Sequence, residues 1–224
     1  MNNSLRKLSF IINPISGSGK GIRVKKALES SSLFKSFDVS IQTTSYAGEA
    51  TKMAQKAVTD SVEIIVAVGG DGTVNEIGSA LIGSQTVMGI IPTGSGNGLA
   101  RHLGISRKIE KAIQTLIRGE VKTIDTGFIN NRTFLNVTGT GLDAKVSREF
   151  AESKNRGWFN YLKIMIMAGS NIIESDYNLK YNGIERTVKA SMVSAANSTQ
   201  FGNNARIAPL ANIEDGKIDI CISK

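Results

Sequence analysis

The sequence has almost none of the residues that build disulfides and soft-metal sites. Its 224 residues include one cysteine, Cys221, and one histidine, His102. A single thiol excludes an intrachain disulfide and fits a reducing compartment. One His and one Cys exclude a His/Cys metal site. Aromatic residues make up only 6% of the chain. None interleave with basic residues in the way that stacks bases, so nucleic acid is not an expected partner. Long hydrophobic runs are also missing. Residues 77–100 carry no charge, but Gly, Ser, Thr, Asn and Pro92 break the stretch, and residues 164–173 are too short to span a bilayer. No transmembrane segment is expected. A polar start followed by the short apolar run Leu8 to Ile12 reads as a first strand, not a secretory signal, and implies a cytoplasmic location.

What is present is the composition of a globular chain, 41% hydrophobic and 21% charged. Its length suits one large domain or two small ones. The net charge of +8 points to an anionic substrate or an anionic membrane surface. Lys20, Arg23, Lys25 and Lys26 fall on one segment, which is either a solvated helix face or part of such a surface.

Apolar spacing predicts alternating strands and helices over the first part of the chain. Strands are expected at Leu8–Ile12, Asp38–Thr43, Glu63–Val68 and Thr86–Ile91. Helices are expected at Lys20–Leu33 (with Ile22, Leu28 and Leu33 as its apolar positions), Gly48–Thr59, Val74–Ile82 and Glu110–Ile117. This order implies a layered, mostly parallel sheet with right-handed crossovers. Beyond Val121 the pattern changes. A hairpin is predicted over Val121–Thr138 with Asn130-Asn131 at its turn, then helices at Ala144–Glu152 and Trp158–Ile173. Strands follow at Tyr177–Tyr181, Thr187–Ala195 and Lys217–Ile222, the first two joined by Asn182-Gly183. The expected division is an α/β domain over 1–125 and a mostly antiparallel β-sandwich over 126–224.

Loops with the composition of phosphate cradles follow the first four strands, at the edge where ligands sit in open α/β sheets. The first, Asn13 to Gly21, has Asn13, Pro14, Ser16 and Gly17 at its start and Lys20 near its end. It resembles a Walker A loop but lacks the first Gly and the final Ser or Thr, so it is either a cradle or a flexible turn. The second, Thr43-Thr44 to Gly48, offers hydroxyls that bind phosphate or cap the next helix. The third is Gly69-Gly70-Asp71-Gly72-Thr73 with Asn75 and Glu76 behind it. Its glycines let backbone N–H groups approach phosphate oxygens. An aspartate there repels phosphate unless a cation or a substrate hydroxyl faces it, so Asp71 suggests a Mg²⁺ partner or a base. The fourth carries Pro92, Thr93, Gly94, Ser95, Gly96 and Asn97. Arg101 behind it either reaches a phosphate or pairs on the surface.

Taken together, Asn13-Pro14 with Ser16-Gly17, Gly69 to Glu76 and Pro92 to Asn97 resemble the diacylglycerol kinase catalytic-domain family, and most closely its bacterial soluble lipid kinases. The resemblance runs in order along nearly the whole chain. It implies an N-terminal α/β nucleotide domain, a C-terminal β-sandwich and a site in the cleft between them. It also implies transfer of the ATP γ-phosphate to a lipid hydroxyl at a membrane surface, with peripheral membrane association. Carried over, the nucleotide ligands are Asn13 to Gly17, Thr44, Gly69 to Asn75 and Thr93. The segment Ala208 to Lys217 resembles the family's structural Mg²⁺ loop, with a carboxylate from Asp215 and backbone carbonyls from Asn212 and Lys217. Read without the resemblance, it is an Asp-Gly hairpin turn. The resemblance places an acidic general base beyond Lys224, so the sequence is expected to be a fragment or to lack that base, with open sheet edges or a homodimeric pairing as the consequence. Residues 158–167, including Trp158, Phe159, Tyr161, Leu162, Ile164, Met165, Ile166 and Met167, are either core or the wall of a lipid slot. A NAD kinase, which shares a Gly-Gly-Asp-Gly loop, and a non-catalytic nucleotide-binding module are the competing readings.

Overall fold

In the computed structural model, residues 5–141 and 174–224 are described. The first part is a four-stranded parallel sheet. Its strands are β1 (Arg6–Ile12), β2 (Phe37–Thr43), β3 (Ile64–Gly69) and β4 (Val87–Pro92), in the order β2-β1-β3-β4. Between and after them run helices α1 (Lys20–Glu29), α2 (Glu49–Thr59), α3 (Asp71–Leu81), α4 (Gly98–His102) and α5 (Ile109–Arg118).

The apolar runs are continuous because both faces of the sheet are covered. Along β1, Leu8, Phe10 and Ile12 point to one side, where Val24 and Leu28 of α1 and Ala112 and Ile113 of α5 complete a core. Ile11 points to the other, among Ala50, Ala54 and Ala57 of α2 and Val74, Ile77 and Leu81 of α3. This is the two-residue alternation of a strand turned into two separate cores. The chain leaves β1 toward β2 on one side and reaches β3 on the other. The loops after β1 and β3 therefore diverge from a topological switch point.

Among the described residues, the rest comprises six hairpin strands and a three-stranded antiparallel sheet. The hairpins are β5 (Gly127–Ile129) with β6 (Arg132–Phe134), β8 (Ser175–Tyr181) with β9 (Ile184–Ala190), and β11 (Gln200–Gly202) with β12 (Ala205–Arg206). The sheet is β13-β10-β7, from β7 (Val137–Gly141), β10 (Met192–Ala196) and β13 (Asp219–Ser223). This part is antiparallel and sandwich-like. It locks onto the first through Leu135 and Ile213, which are buried in the α2/α3 core. Gly78 on α3 leaves the space that Leu135 fills. The Asn75 side chain reinforces the joint, donating to the Thr133 carbonyl at 3.2 Å and accepting the Leu135 amide at 3.2 Å.

Several sequence expectations need correction. Helix α1 ends at Glu29, and Val24 and Leu28 face the core, while Ile22 and Leu33 are exposed. Residues 121–126 form no strand, and the second arm of the expected hairpin breaks after Phe134 so that β7 can join another sheet. The predicted strand Thr187–Ala195 is two strands divided at Ser191. Helix α4 and the β11–β12 hairpin were not foreseen. The two turns Asn130-Asn131 and Asn182-Gly183 do form, all four residues with positive φ, as two-residue hairpins require. The helices expected at 144–152 and 158–173, and with them the lipid-slot residues, lie outside the described residues. Among the described residues no helix is long and apolar enough to cross a membrane.

Candidate functional site

The carboxyl ends of β1, β3 and β4 bring three of the four glycine-bearing loops into contact. Gly17 has φ 56°, and a Cβ there would collide with the carbonyl of Thr93. A Cβ on Gly94 would come within 2.5 Å of the Gly70 Cα. The three backbones thus touch at positions where only glycine fits. The loops are also tied by hydrogen bonds. Thr93 N–H donates to the Gly69 carbonyl at 2.9 Å, and the Asn13 side chain donates to Thr73 Oγ1 at 3.3 Å.

Ser16 and Thr93 form a buried hydroxyl pair. Ser16 Oγ also lies 2.8 Å from the Asn13 carbonyl, an acceptor only, so its hydrogen points there. Thr93 must therefore be the donor to Ser16. The relay from Thr93 through Ser16 to Asn13 makes both hydroxyls internal struts between the β1 and β4 loops. Thr93 is 1% exposed, which places it behind the loop surface. On the first loop Pro14 is spanned by a local turn, in which Ile15 N–H donates to Asn13 Oδ1 at 3.2 Å.

Two helices begin at this edge. Helix α1 starts after Gly19 and α3 after Gly70, and neither has a side-chain cap. Helix α3 starts at Asp71, three residues earlier than its apolar pattern suggests. Its first-turn amides, including that of the exposed Gly72, therefore have no intrahelical carbonyl partner. A helix N-terminus with uncapped N–H groups favours an anion.

Asp71 does not face that mouth as a free base. Its Oδ2 accepts the Asn97 amide at 2.8 Å and its Oδ1 the Gly98 amide at 2.6 Å. It thereby caps α4, whose N-cap residue Asn97 is itself left-handed at φ 52°. Burial raises the Asp71 carboxyl above its ordinary value, while the Gly98 and Asn97 amides and the Arg101 charge pull it back. Each oxygen takes one amide, which fixes the carboxylate between the third and fourth loops. Asn97 Nδ2 closes the fourth loop on the Gly94 carbonyl at 2.6 Å, and Ser95 and Gly96 lie between them at the surface.

Other candidates have different tasks. Thr44 Oγ1 lies 3.5 Å from the Ile12 carbonyl and caps nothing. The α2 N-terminus is served instead by Glu76, whose Oε1 accepts the Gly48 amide at 3.1 Å. Glu76 and Asn75 hence point away from the mouth, to α2 and to the β5–β6 hairpin. Arg101 donates from Nε to the Gly96 carbonyl at 3.0 Å and reaches Asn203 Oδ1 and Asn204 Oδ1 at 3.3 and 3.5 Å.

The 212–217 segment is a turn docked on Asp125, a residue that sequence reasoning missed. Asp125 Oδ2 accepts the Gly216 amide at 2.6 Å, and its N–H donates to the Ile213 carbonyl at 2.7 Å. These partners lie about ninety residues away in sequence, so no local signal marked Asp125. Within the turn, Asn212 Oδ1 accepts the Glu214 amide and Asp215 Oδ1 the Lys217 amide, each at 3.1 Å. One oxygen of Asp215 and the Asn212 and Lys217 carbonyls form a donor set of hard oxygens that fits Mg²⁺ in kind. No group of three or more His, Cys, Asp or Glu suited to a metal occurs among the described residues.

Sequence and structure comparisons agree with this layout. The family model described as "Diacylglycerol kinase catalytic domain" matches residues 7–129. One described as "YegS C-terminal NAD kinase beta sandwich-like domain" matches residues 136–224. A protein of Bacillus subtilis (strain 168) named diacylglycerol kinase is 32% identical, over 98% of this chain and 74% of its own length. A Klebsiella pneumoniae (strain 342) protein named "Probable lipid kinase YegS-like" is 28% identical, over 91% and 71%. The crystal structure of a diacylglycerol kinase from Bacillus anthracis str. Sterne superposes with a TM-score of 0.78 at 27% identity, covering 98% of this chain and 74% of that one. With the catalytic-domain match spanning all three touching loops and the sheet that carries them, the chain belongs to the diacylglycerol kinase catalytic-domain family.

Proposed function

We propose that this chain is an ATP-dependent lipid kinase that moves the γ-phosphate of ATP to a lipid hydroxyl. The observation that carries the reading is the packing of the Asn13–Gly19 and Gly69–Thr73 loops against the Thr93-Gly94 segment and, through Asn13 and Thr73, against each other, each loop leading into an uncapped helix. Uncapped helix N-termini supply amide donors and positive potential for a chain of phosphates. Phosphoryl transfer rests mostly on such positioning and charge neutralisation.

In this reading the exposed amides around Gly72 and the 17–19 turn hold phosphate oxygens, while Ser16, Thr93 and Asn13 keep the loops in register. Mg²⁺ bound with the nucleotide supplies charge neutralisation, and at the 212–217 turn it supplies structural cross-linking. Asp71, with both oxygens on amides, holds the fourth loop; we propose that a different carboxylate takes the hydroxyl proton. The half-exposed basic face of α1, with Lys20, Arg23 and Lys26, is suited to anionic lipid. We place the division between nucleotide and sandwich parts near residue 125, where the Asp125 clamp sits.

The test is transfer of labelled γ-phosphate to diacylglycerol, monoacylglycerol, phosphatidylglycerol or a sphingoid base in mixed micelles. Labelled lipid from one of them is the expected result. No labelled lipid, with NAD phosphorylated instead, would overturn the assignment in favour of a NAD kinase.

A further inference from the structure

We propose that Arg101 and the Asn203-Asn204 turn form a clasp that fixes the 94–98 loop from behind, making the nucleotide site depend on a hairpin of the second part of the chain. The Gly96 carbonyl receives two donors, Arg101 Nε at 3.0 Å and the Asn203 amide at 3.4 Å. The N–H of that same peptide group, at Asn97, and of the next one, at Gly98, go to Asp71 on the opposite side. Two consecutive peptide groups are thus held from two faces, one by a guanidinium and one by a carboxylate.

The backbones are in contact along this seam. Asn97 and Gly202 form a bridge between the loop and β11. A Cβ at Gly202 would come within 2.8 Å of Gly96. Asn203 and Asn204 hold positive φ of 49° and 64°, which aims both amide oxygens at the Arg101 fork. All three guanidinium nitrogens are engaged. A planar fork reaches three acceptors at once, and a lysine ammonium does not.

The consequence for nucleotide binding rests on the proposed kinase function, so the test separates the two. The variants are R101K, which keeps the charge, and N203G, which keeps the left-handed backbone, alone and together. Without nucleotide, amide exchange in residues 92–103 is expected to rise about tenfold in R101K, as loss of a charge-assisted bond allows. The Kd for MgATP is expected to rise about 3–10-fold in each single variant, and the double variant to show little more than one of them, because the two residues share one interaction. Unchanged exchange in both single variants, or effects that simply add, overturns the clasp. Faster exchange in the variants, with a wild-type protein that binds no MgATP, upholds the clasp and removes the nucleotide reading.

Discussion

One carboxylate, that of Asp71, is shared by the consecutive amides of Asn97 and Gly98, at 2.8 and 2.6 Å, across more than twenty-five residues of sequence. This geometry makes Asp71 a strut between the third and fourth loops. In D71N one oxygen remains as an acceptor, while the new NH₂ group faces an amide N–H. The expected loss is about 1–3 kcal/mol of stability, read as a lower urea midpoint at unchanged m. ATP affinity should fall together with the rate. If Asp71 were the general base, the rate alone would drop, by about 10²–10⁴-fold, with binding and stability intact.

The relay from Thr93 through Ser16 to Asn13 predicts an asymmetry between its members. In T93V, Ser16 still donates to the Asn13 carbonyl, so the expected cost is about 0.5–1.5 kcal/mol. In S16A the buried Thr93 O–H loses its acceptor, and the cost rises to about 1–3 kcal/mol. The double variant S16A/T93V should cost less than the sum, since neither orphan remains. Chemical denaturation of the three variants measures this. Equal single costs that add would mean the hydroxyls are not coupled.

Periodicity was enough to reveal the parallel sheet, because each buried strand is a compact apolar run between glycine-bearing loops. Helix caps were harder to place. Asp71, Gly72 and Thr73 look like loop residues, yet they form the first turn of α3, since an extended Gly70 lets the helix start at once. Asn75 and Glu76 follow the glycine loop directly in sequence. One helical turn rotates them onto the hairpin and onto α2. The short helix α4, the β11–β12 hairpin and the Asp125 clamp depend on partners far along the chain. The bonds from Asp125 to Gly216 and from Arg101 to Asn203 have no local pattern to betray them.

The 212–217 turn gives a metal prediction with two separable variants. D215N keeps the acceptor for the Lys217 amide but removes the charge, so its melting temperature in EDTA should stay near that of the wild type. Millimolar MgCl₂ should stabilise the wild type, by about 1.4 kcal/mol at ten times Kd, read as a higher melting temperature, and leave D215N unmoved relative to NaCl of equal ionic strength. D125N perturbs the acceptor of the Gly216 amide and is expected to melt lower even in EDTA. A Mg²⁺ response retained in full by D215N would exclude Asp215 as a ligand.

His102 predicts how stability follows pH. Its Nδ1 accepts the Thr199 amide at 3.3 Å, which requires the neutral ring with its hydrogen on Nε2. Burial lowers its pKa below the ordinary 6.5, Lys122 lowers it further, and Glu214 pulls it back up. Between the folded and unfolded values the unfolded chain binds more protons, so stability is fully present above 6.5 and declines as pH falls through that window. Protonation at Nδ1 would also break the bond to Thr199, loosening α4 against the strand that leads to β11. As His102 is the only histidine, the difference between wild type and H102Q in denaturation midpoints at pH 7.5 and 5.5 isolates its contribution. The wild type should be less stable at pH 5.5. H102Q, which offers Thr199 an oxygen that does not titrate, should show a smaller difference between the two pH values. An identical pH dependence in wild type and H102Q would show that the ring's proton is not what the Thr199 contact senses.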